Sequence, residues 1–294
     1  MSIAGRRLPW NPPLNPRRFE RLVYTEKDLS QAIADAARLG DPLIARIGTT
    51  MTISRTIEIP ASVPSFEVIG DESRGQIRAL SGVRVGFSVL NRDFTARDLG
   101  FYGAGAVGAP VNFVAINTSA PSPAAPMSFV LNHCKVDAGE LIQVATAYGI
   151  GTTVRVSDCE FDQSSTTTAA GVSMTLQGCV VSIERNLIKV TSGISYIGSI
   201  GVFGLNRVSG AIEFSGDNLS IVGNYVDGTS LTLTATASRC ALVGNTGEGG
   251  ASIVTNGGGN RLVGNNGFDK SINAGDIDMD AISDGSAFFD WTRW

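Results

Sequence analysis

Apolar residues alternate along short stretches of this chain, a two- or three-residue break follows, and alternation resumes. Val154 and Val156 are followed by Cys159 and Phe161 in this way. A period of two is the period of a β-strand. The unit recurs. Leu219-Ser220-Ile221-Val222-Gly223-Asn224-Tyr225-Val226 returns at Cys240 to Gly247 and at Asn260 to Gly267, with a looser copy from Val181 to Ile188. Copies at Val154 to Phe161, Phe129 to Val136 and Phe94 to Phe101 carry Cys159, Cys134 and Leu99 in place of the asparagine. The marker positions Leu99, Cys134, Cys159, Asn186, Asn224, Asn245 and Asn265 are 35, 25, 27, 38, 21 and 20 residues apart. Repeats of this size signal a stack of similar units. The spacing predicts coiled rungs with loops of variable length. Asparagine tolerates the left-handed backbone, so each marked break reads as a sharp bend. The four asparagines are expected in one column, trading amide hydrogen bonds along the axis.

Before the stack, Thr25, Asp28 and Gly40 carry the start and stop signals of a helix, with Leu29, Ile33, Ala36 and Ala37 on its apolar face. A stack exposes unpaired edges at its open ends, so this helix is expected to cap the first rung. The predicted organisation is an extended arm (1–24), an N-terminal cap of helix and first strands (25–59), the stack (60–270) and a C-terminal cap or oligomerisation tail (271–294). The long rung between Asn186 and Asn224 is expected to carry extra strand material, Ile194 to Phe203 and Ala211 to Phe214.

Composition agrees with an all-β chain rich in bends: 35 glycines and 17% charged residues in 294. The net charge of −4 argues against nucleic acid as a main partner. No apolar run of about 18 residues suggests membrane insertion. The basic N-terminus lacks the apolar core of a secretory signal, so synthesis in a cytoplasm is expected. The four cysteines form no metal-like cluster. Cys134 and Cys159 read as buried thiols on successive rungs, with a disulfide as the alternative. No metal or other cofactor is expected. Asp276, Asp278 and Asp280 alternate, but lack the further ligands and glycine bend of a calcium loop, and read as a solvated acidic strand or turn.

Both termini depart from the pattern. The arm holds Pro9, Pro12, Pro13 and Pro16 with Arg6, Arg7, Arg17, Arg18 and Arg21. Such sequence stays extended and needs a surface to lie on, with Trp10 and Phe19 as natural anchors. Phe288, Phe289, Trp291 and Trp294 are expected either to close the stack or to contact neighbouring copies.

The helix Asp28 to Leu39, the Gly48 to Ser54 segment, Val68-Ile69-Gly70 and the repeated Ile-Val-Gly-Asn bends resemble the right-handed parallel β-helix of the pectate-lyase-like superfamily, over roughly residues 25–270. That resemblance implies fold, and a choice among lyases, polygalacturonases, epimerases and bacteriophage spikes. The enzyme motifs have no clear counterpart: Arg185 and Arg207 lack a nearby aspartate cluster, and His133 is the sole histidine. The arm and aromatic tail resemble the layout of phage or gene-transfer-particle spikes. It implies a homotrimer on a phage-like particle, made in the bacterial cytoplasm. The arm would be held by capsid, portal or tail proteins through Arg6, Arg7, Trp10, Arg17, Arg18 and Phe19.

Aligning the rungs builds one polar face from three outward columns: Asp98, His133, Asp158, Arg185; then Lys135, Glu160, Leu187, Tyr225; then Tyr102, Asp137, Asp162, Lys189, Asp227. His133, Lys135, Arg185, Lys189, Tyr102 and Tyr225 are candidates for contact with host-surface polysaccharide. Asp137 and Asp162 would stand about 5 Å apart, the separation of a retaining glycosidase pair. With Asp158 and Glu160 beside them, they are the candidates for the alternative function, a polysaccharide hydrolase or lyase.

Overall fold

A computed structural model describes residues 19–279 except 71–74, 81, 84, 91–92, 104–111, 117–127, 138–139, 145–152, 163–171, 177–179, 190–193, 199 and 229. At 112–116, 140–144, 162, 172–176 and 194–198 the backbone alone is described. Arg6, Arg7, Arg17, Arg18 and Trp10 of the arm, the aromatic tail, Cys179, Asp280, and the loops around Pro121 and Ser164 lie outside the described residues.

Every pairing between described strands is parallel, and strands close in sequence lie in different sheets. The chain winds through three sheets, of twelve, nine and ten strands, so each turn adds one strand to each. This is a parallel β-helix. Inward residues repeat in register. Phe66, Phe94, Phe129, Val154 and Val181 form one buried column, and Val68, Ala96, Leu131, Val156, Ile183, Phe203, Ile221, Leu242 and Leu262 another. Ring centroids step from Phe66 to Phe94 at 5.8 Å and on to Phe129 at 5.9 Å. Packing along the axis therefore locks the register: a one-residue slip would turn a whole column outward.

The helix forms as expected, at Glu26–Leu39. Thr25 and Asp28 cap each other's backbone N–H groups, and Gly40 ends it at φ 68°. Leu29, Ala32, Ile33 and Ala36 are buried in the same core as the first strands. The Glu26 carboxylate accepts from the Ser54 N–H (2.7 Å) and Arg55 Nε (3.0 Å), tying the helix to the first rung.

Several boundaries differ from the sequence reading. Phe19–Val23, expected within the arm, is the first strand of the twelve-stranded sheet, paired with Leu43–Ile47. The strands assigned to the cap, Leu43–Ile47, Thr50–Ile53 and Ile57–Ile59, make a complete rung in register with the next. At the other end the sheet continues to Ile277–Asp278, beyond the expected limit of 270. Asp276 is not simply solvated: its carboxylate accepts from the N–H (2.8 Å) and Nδ2 (3.3 Å) of Asn260. Asp278 takes Lys270 Nζ at 3.4 Å.

The extra strand material between Asn186 and Asn224 is a whole additional rung. Ile194–Gly198 and Gly201–Gly204 belong to different sheets, and Asn206 stands between its neighbours in the column. The ladder thus has five asparagines. Asn186, Asn206, Asn224, Asn245 and Asn265 are all buried. Asn245 shows the pattern. Its Oδ1 accepts from the N–H (3.0 Å) and Nδ2 (2.9 Å) of Asn224, and its Nδ2 donates to Ile221 O (2.9 Å) and to Asn265 Oδ1 (2.8 Å).

The reason for asparagine also differs from the expected one. The left-handed residue is the one before it: Arg185 (φ 58°), Leu205 (55°), Gly223 (63°), Gly244 (62°) and Gly264 (68°). Asparagine points inward and is used for its amide, which satisfies backbone groups that the bend removes from the strand ladder. Towards the N-terminus the column passes to cysteine. Asn186 Oδ1 accepts from the Cys159 N–H at 2.9 Å, and the Cys134 N–H points at Cys159 Sγ at 3.4 Å. Cys134, Cys159 and Cys240 are buried free thiols, and burial pushes the Cys240 thiol up.

Candidate glycan-binding face

The polar face lies on the outside of the nine-stranded sheet and the bend before it. The bend positions Asp98, His133, Asp158 and Arg185 all have left-handed φ, from 50° to 58°. Three later rungs place glycine there, at 223, 244 and 264. A side chain in this conformation costs of order 1 kcal/mol or more, least for aspartate and histidine. The earlier rungs keep charged side chains where glycine is free of strain.

These groups pair along the axis. His133 Nδ1 stands 3.9 Å from Asp98 Oδ1. Arg185 grips Asp158 through two hydrogen bonds of 2.8 Å. That guanidinium holds the Asp158 carboxyl below its ordinary value. The pair is therefore complete above the usual aspartate range and is lost only as pH falls through the lowered value. In the next column Glu160 receives Lys135 Nζ at 3.3 Å and Lys189 Nζ at 3.8 Å.

A hollow of about 270 Å³ opens on this face, lined by Gln76, Asp98, Leu99, Gly100, Tyr102, His133 and Lys135. Register explains it. Gly100 lies between Gln76 and Lys135 in one outward column, so a side chain is missing from the row. A Cβ on Gly100 would come within 3.1 Å of both Gln76 Cγ and the Tyr102 ring. The Arg78 guanidinium sits 5.7 Å from the Tyr102 centroid and holds the ring from the side. The hollow offers an aromatic surface, an amide, a carboxylate, an imidazole and an ammonium.

Of the sequence candidates, Tyr102, His133 and Lys135 are brought together here. Arg185 and Lys189 lie further along the same face. Tyr225 is farther still, under Arg207 at 5.1 Å and hydrogen-bonded to Glu248, which raises its phenol pKa. Asp137 keeps its place in the outward column, in register with Tyr102, but is buried there rather than open to solvent. The side chain of Asp162 lies outside the described residues, so the proposed carboxylate pair is not observed as one. Asp158 and Glu160 are both held in ion pairs. Phe19 is half-buried against the core, with the Arg21 guanidinium 4.4 Å from its ring.

Gln76, Gly100 and Arg78 are not among the sequence candidates, and Arg207 enters the sequence reading only as a lyase base without its aspartate cluster. Gly100 was legible in principle: it follows the marker Leu99, where later copies carry lysine, glutamate or tyrosine. The place of Arg207 against Tyr225 was hidden with its whole rung.

No known family pattern matches the chain, and no curated protein matches it. Two solved structures are similar to it at low identity. One is the tailspike protein of Acinetobacter phage vB_ApiP_P1, with 13% identity over 85% of this chain and 56% of that one, at a TM-score of 0.37. The other is the Dettilon tailspike protein, with 12% identity over 87% of this chain and 66% of that one, at 0.26. The chain thus spans less than two thirds of the length of either. Its own strand pairing identifies its architecture: an all-β chain wound as a parallel β-helix.

Proposed function

We propose that this chain is the rod of a spike on a phage-like particle, and that the face around Gly100 contacts polysaccharide on the host surface. One observation carries the reading: the hollow left by Gly100, with Tyr102 as a platform and four polar side chains at its edge. A sugar ring has an apolar face that stacks on an aromatic ring and a rim of hydroxyls that needs donors and acceptors at fixed positions. The strained charged column beside the hollow supports it, because backbone strain kept without structural need marks functional positions. Rungs bonded to each other along the axis give the stiffness a projecting rod requires.

Binding is favoured over cleavage. A general acid needs a carboxyl whose proton is retained, whereas the Arg185 guanidinium holds the Asp158 carboxyl below its ordinary value. The test is a titration of the full chain with capsular and lipopolysaccharide fragments by calorimetry, with sugar release followed in parallel. Tyr102→Ala and Gly100→Gln are expected to weaken binding at least tenfold while leaving the fold intact. Equal affinity in both variants, for a fragment that the parent binds, rules this hollow out.

Attachment is assigned to the arm, through Arg6, Arg7, Trp10, Arg17 and Arg18, and the assembly to a homotrimer. Removing residues 1–18 is expected to abolish incorporation into particles without changing the mass measured by light scattering. Normal incorporation of the shortened chain would remove the arm from this scheme.

A further inference from the structure

The outer face of the twelve-stranded sheet changes character along the axis. In its first half it is polar, with Arg97 paired to Glu67 at 2.6 Å and Asn132 bonded to Ser157 at 2.9 Å. In its second half Gly204, Val222, Val243 and Val263 stand in register on the outside. Beside them Leu205 is 60% exposed, Ile200 59% and Val202 38%. Leu205 is the informative residue. It holds a left-handed φ of 55°, and its side chain reaches over Gly223, where a Cβ would meet it at 3.0 Å. A bulky aliphatic residue gains nothing from that conformation or from water. The strain and the exposure together indicate a contact made on this band.

We infer that the band is covered by the C-terminal segment of the same chain, residues 284–294. Among the described residues the last strand of the sheet is Ile277–Asp278, in register with Arg261 and Leu262, and the Met279 N–H bonds to Leu262 O at 2.9 Å. The described chain therefore stops at the end of this very sheet. Gly201–Gly204 lies four strands back, about 19 Å at the usual strand spacing. Residues 280–294 number fifteen and span up to about 50 Å when extended. Phe288, Phe289, Trp291 and Trp294 lie within this stretch. Asp284 precedes them and Asp290 stands among them, with Arg293 beside Trp294, while Arg239 and Arg261 flank the band. Length, the end of the described chain, apolar content and charge all match.

Tryptophan emission tests this in the full chain, because Trp10, Trp291 and Trp294 are its three tryptophans. In a Trp10→Phe background the emission is expected to be blue-shifted and poorly quenched by acrylamide. Leu205→Asp and Val243→Asp are expected to shift it to the red and raise quenching several-fold, at unchanged molecular mass. Aspartate suits the left-handed site better than leucine, so Leu205→Asp is not expected to unfold the rung. Unchanged emission in both variants would place the tail elsewhere and overturn the inference. A red shift accompanied by a fall in mass would assign the covering segment to a second copy, and a fall in mass without a red shift would mean that the second copy's own face lies there. Either result rejects the assignment to the same chain.

Discussion

Asn245→Ala is expected to destabilise the chain by about 4 kcal/mol or more, read as a fall in the urea midpoint. The residue is wholly buried and its amide serves four groups. Truncation removes the side-chain partner of the Asn224 N–H and of the Ile221 carbonyl, while Asn224 Nδ2 keeps Phe203 O (2.9 Å) and Asn265 Oδ1 keeps the Asn245 N–H (3.1 Å). Each orphaned buried group costs about 1–3 kcal/mol. Asn245→Leu is expected to do no better, although Leu99 occupies the equivalent position early in the stack. There the neighbour in the column is Cys134, which makes fewer demands; here the neighbours are amides. Removing several adjacent asparagines together is therefore expected to cost less than the sum of single losses. A single Asn245→Ala loss under about 1 kcal/mol would mean that the amides are decoration on a stack held by its apolar columns alone.

Gly257→Ala is the second large effect, with an expected loss of about 3 kcal/mol or more, at the upper end for overpacking. The glycine has an ordinary backbone conformation, so freedom of rotation is not the reason for it. A Cβ at this position would lie 1.7 Å from the carbonyl oxygen of Ala237 and 3.0 Å from that of Thr234. Both obstacles are backbone of the rung below, which cannot yield without parting the stack. Gly258 is the control, since a Cβ there meets nothing within 4 Å. Gly258→Ala is expected to leave the unfolding midpoint unchanged or slightly raised. Equal effects at the two positions would contradict the close approach of the rungs.

How much of this was legible in the sequence depends on which residue stood at the bend. Where glycine preceded asparagine, the repeat was plain and the column of amides followed from it. At Gly204-Leu205-Asn206 the glycine sits one position early and leucine holds the left-handed place. The familiar pair is broken, and a whole rung disappeared from the count. The inward columns were visible because alternation survives substitution among valine, isoleucine and phenylalanine. The edges of the stack were not, because Phe19–Val23 and Ile277–Asp278 are short, and only pairing to a neighbour makes them strands. The candidate site was half visible. Charged side chains announce themselves, so Asp98, His133, Asp158 and Arg185 were found as a column. Its hollow is made by an absence, the missing side chain of Gly100, and a gap has meaning only when its neighbours are known in three dimensions. The same limit explains Asp137, whose place in an outward column did not foretell its burial.

The amide ladder has an implication for how such a chain diversifies. Register is set between neighbouring rungs, by the inward columns and the amides of the bend, and not by the connections on the far side. The turn at Gly249 and Gly250, both at positive φ, carries no part of it. An insertion there meets chiefly the entropy of closing a longer loop, about 0.6 kcal/mol for each doubling of length. A lineage is then free to graft new surface decoration onto one side of the spindle while its inner thread stays unbroken.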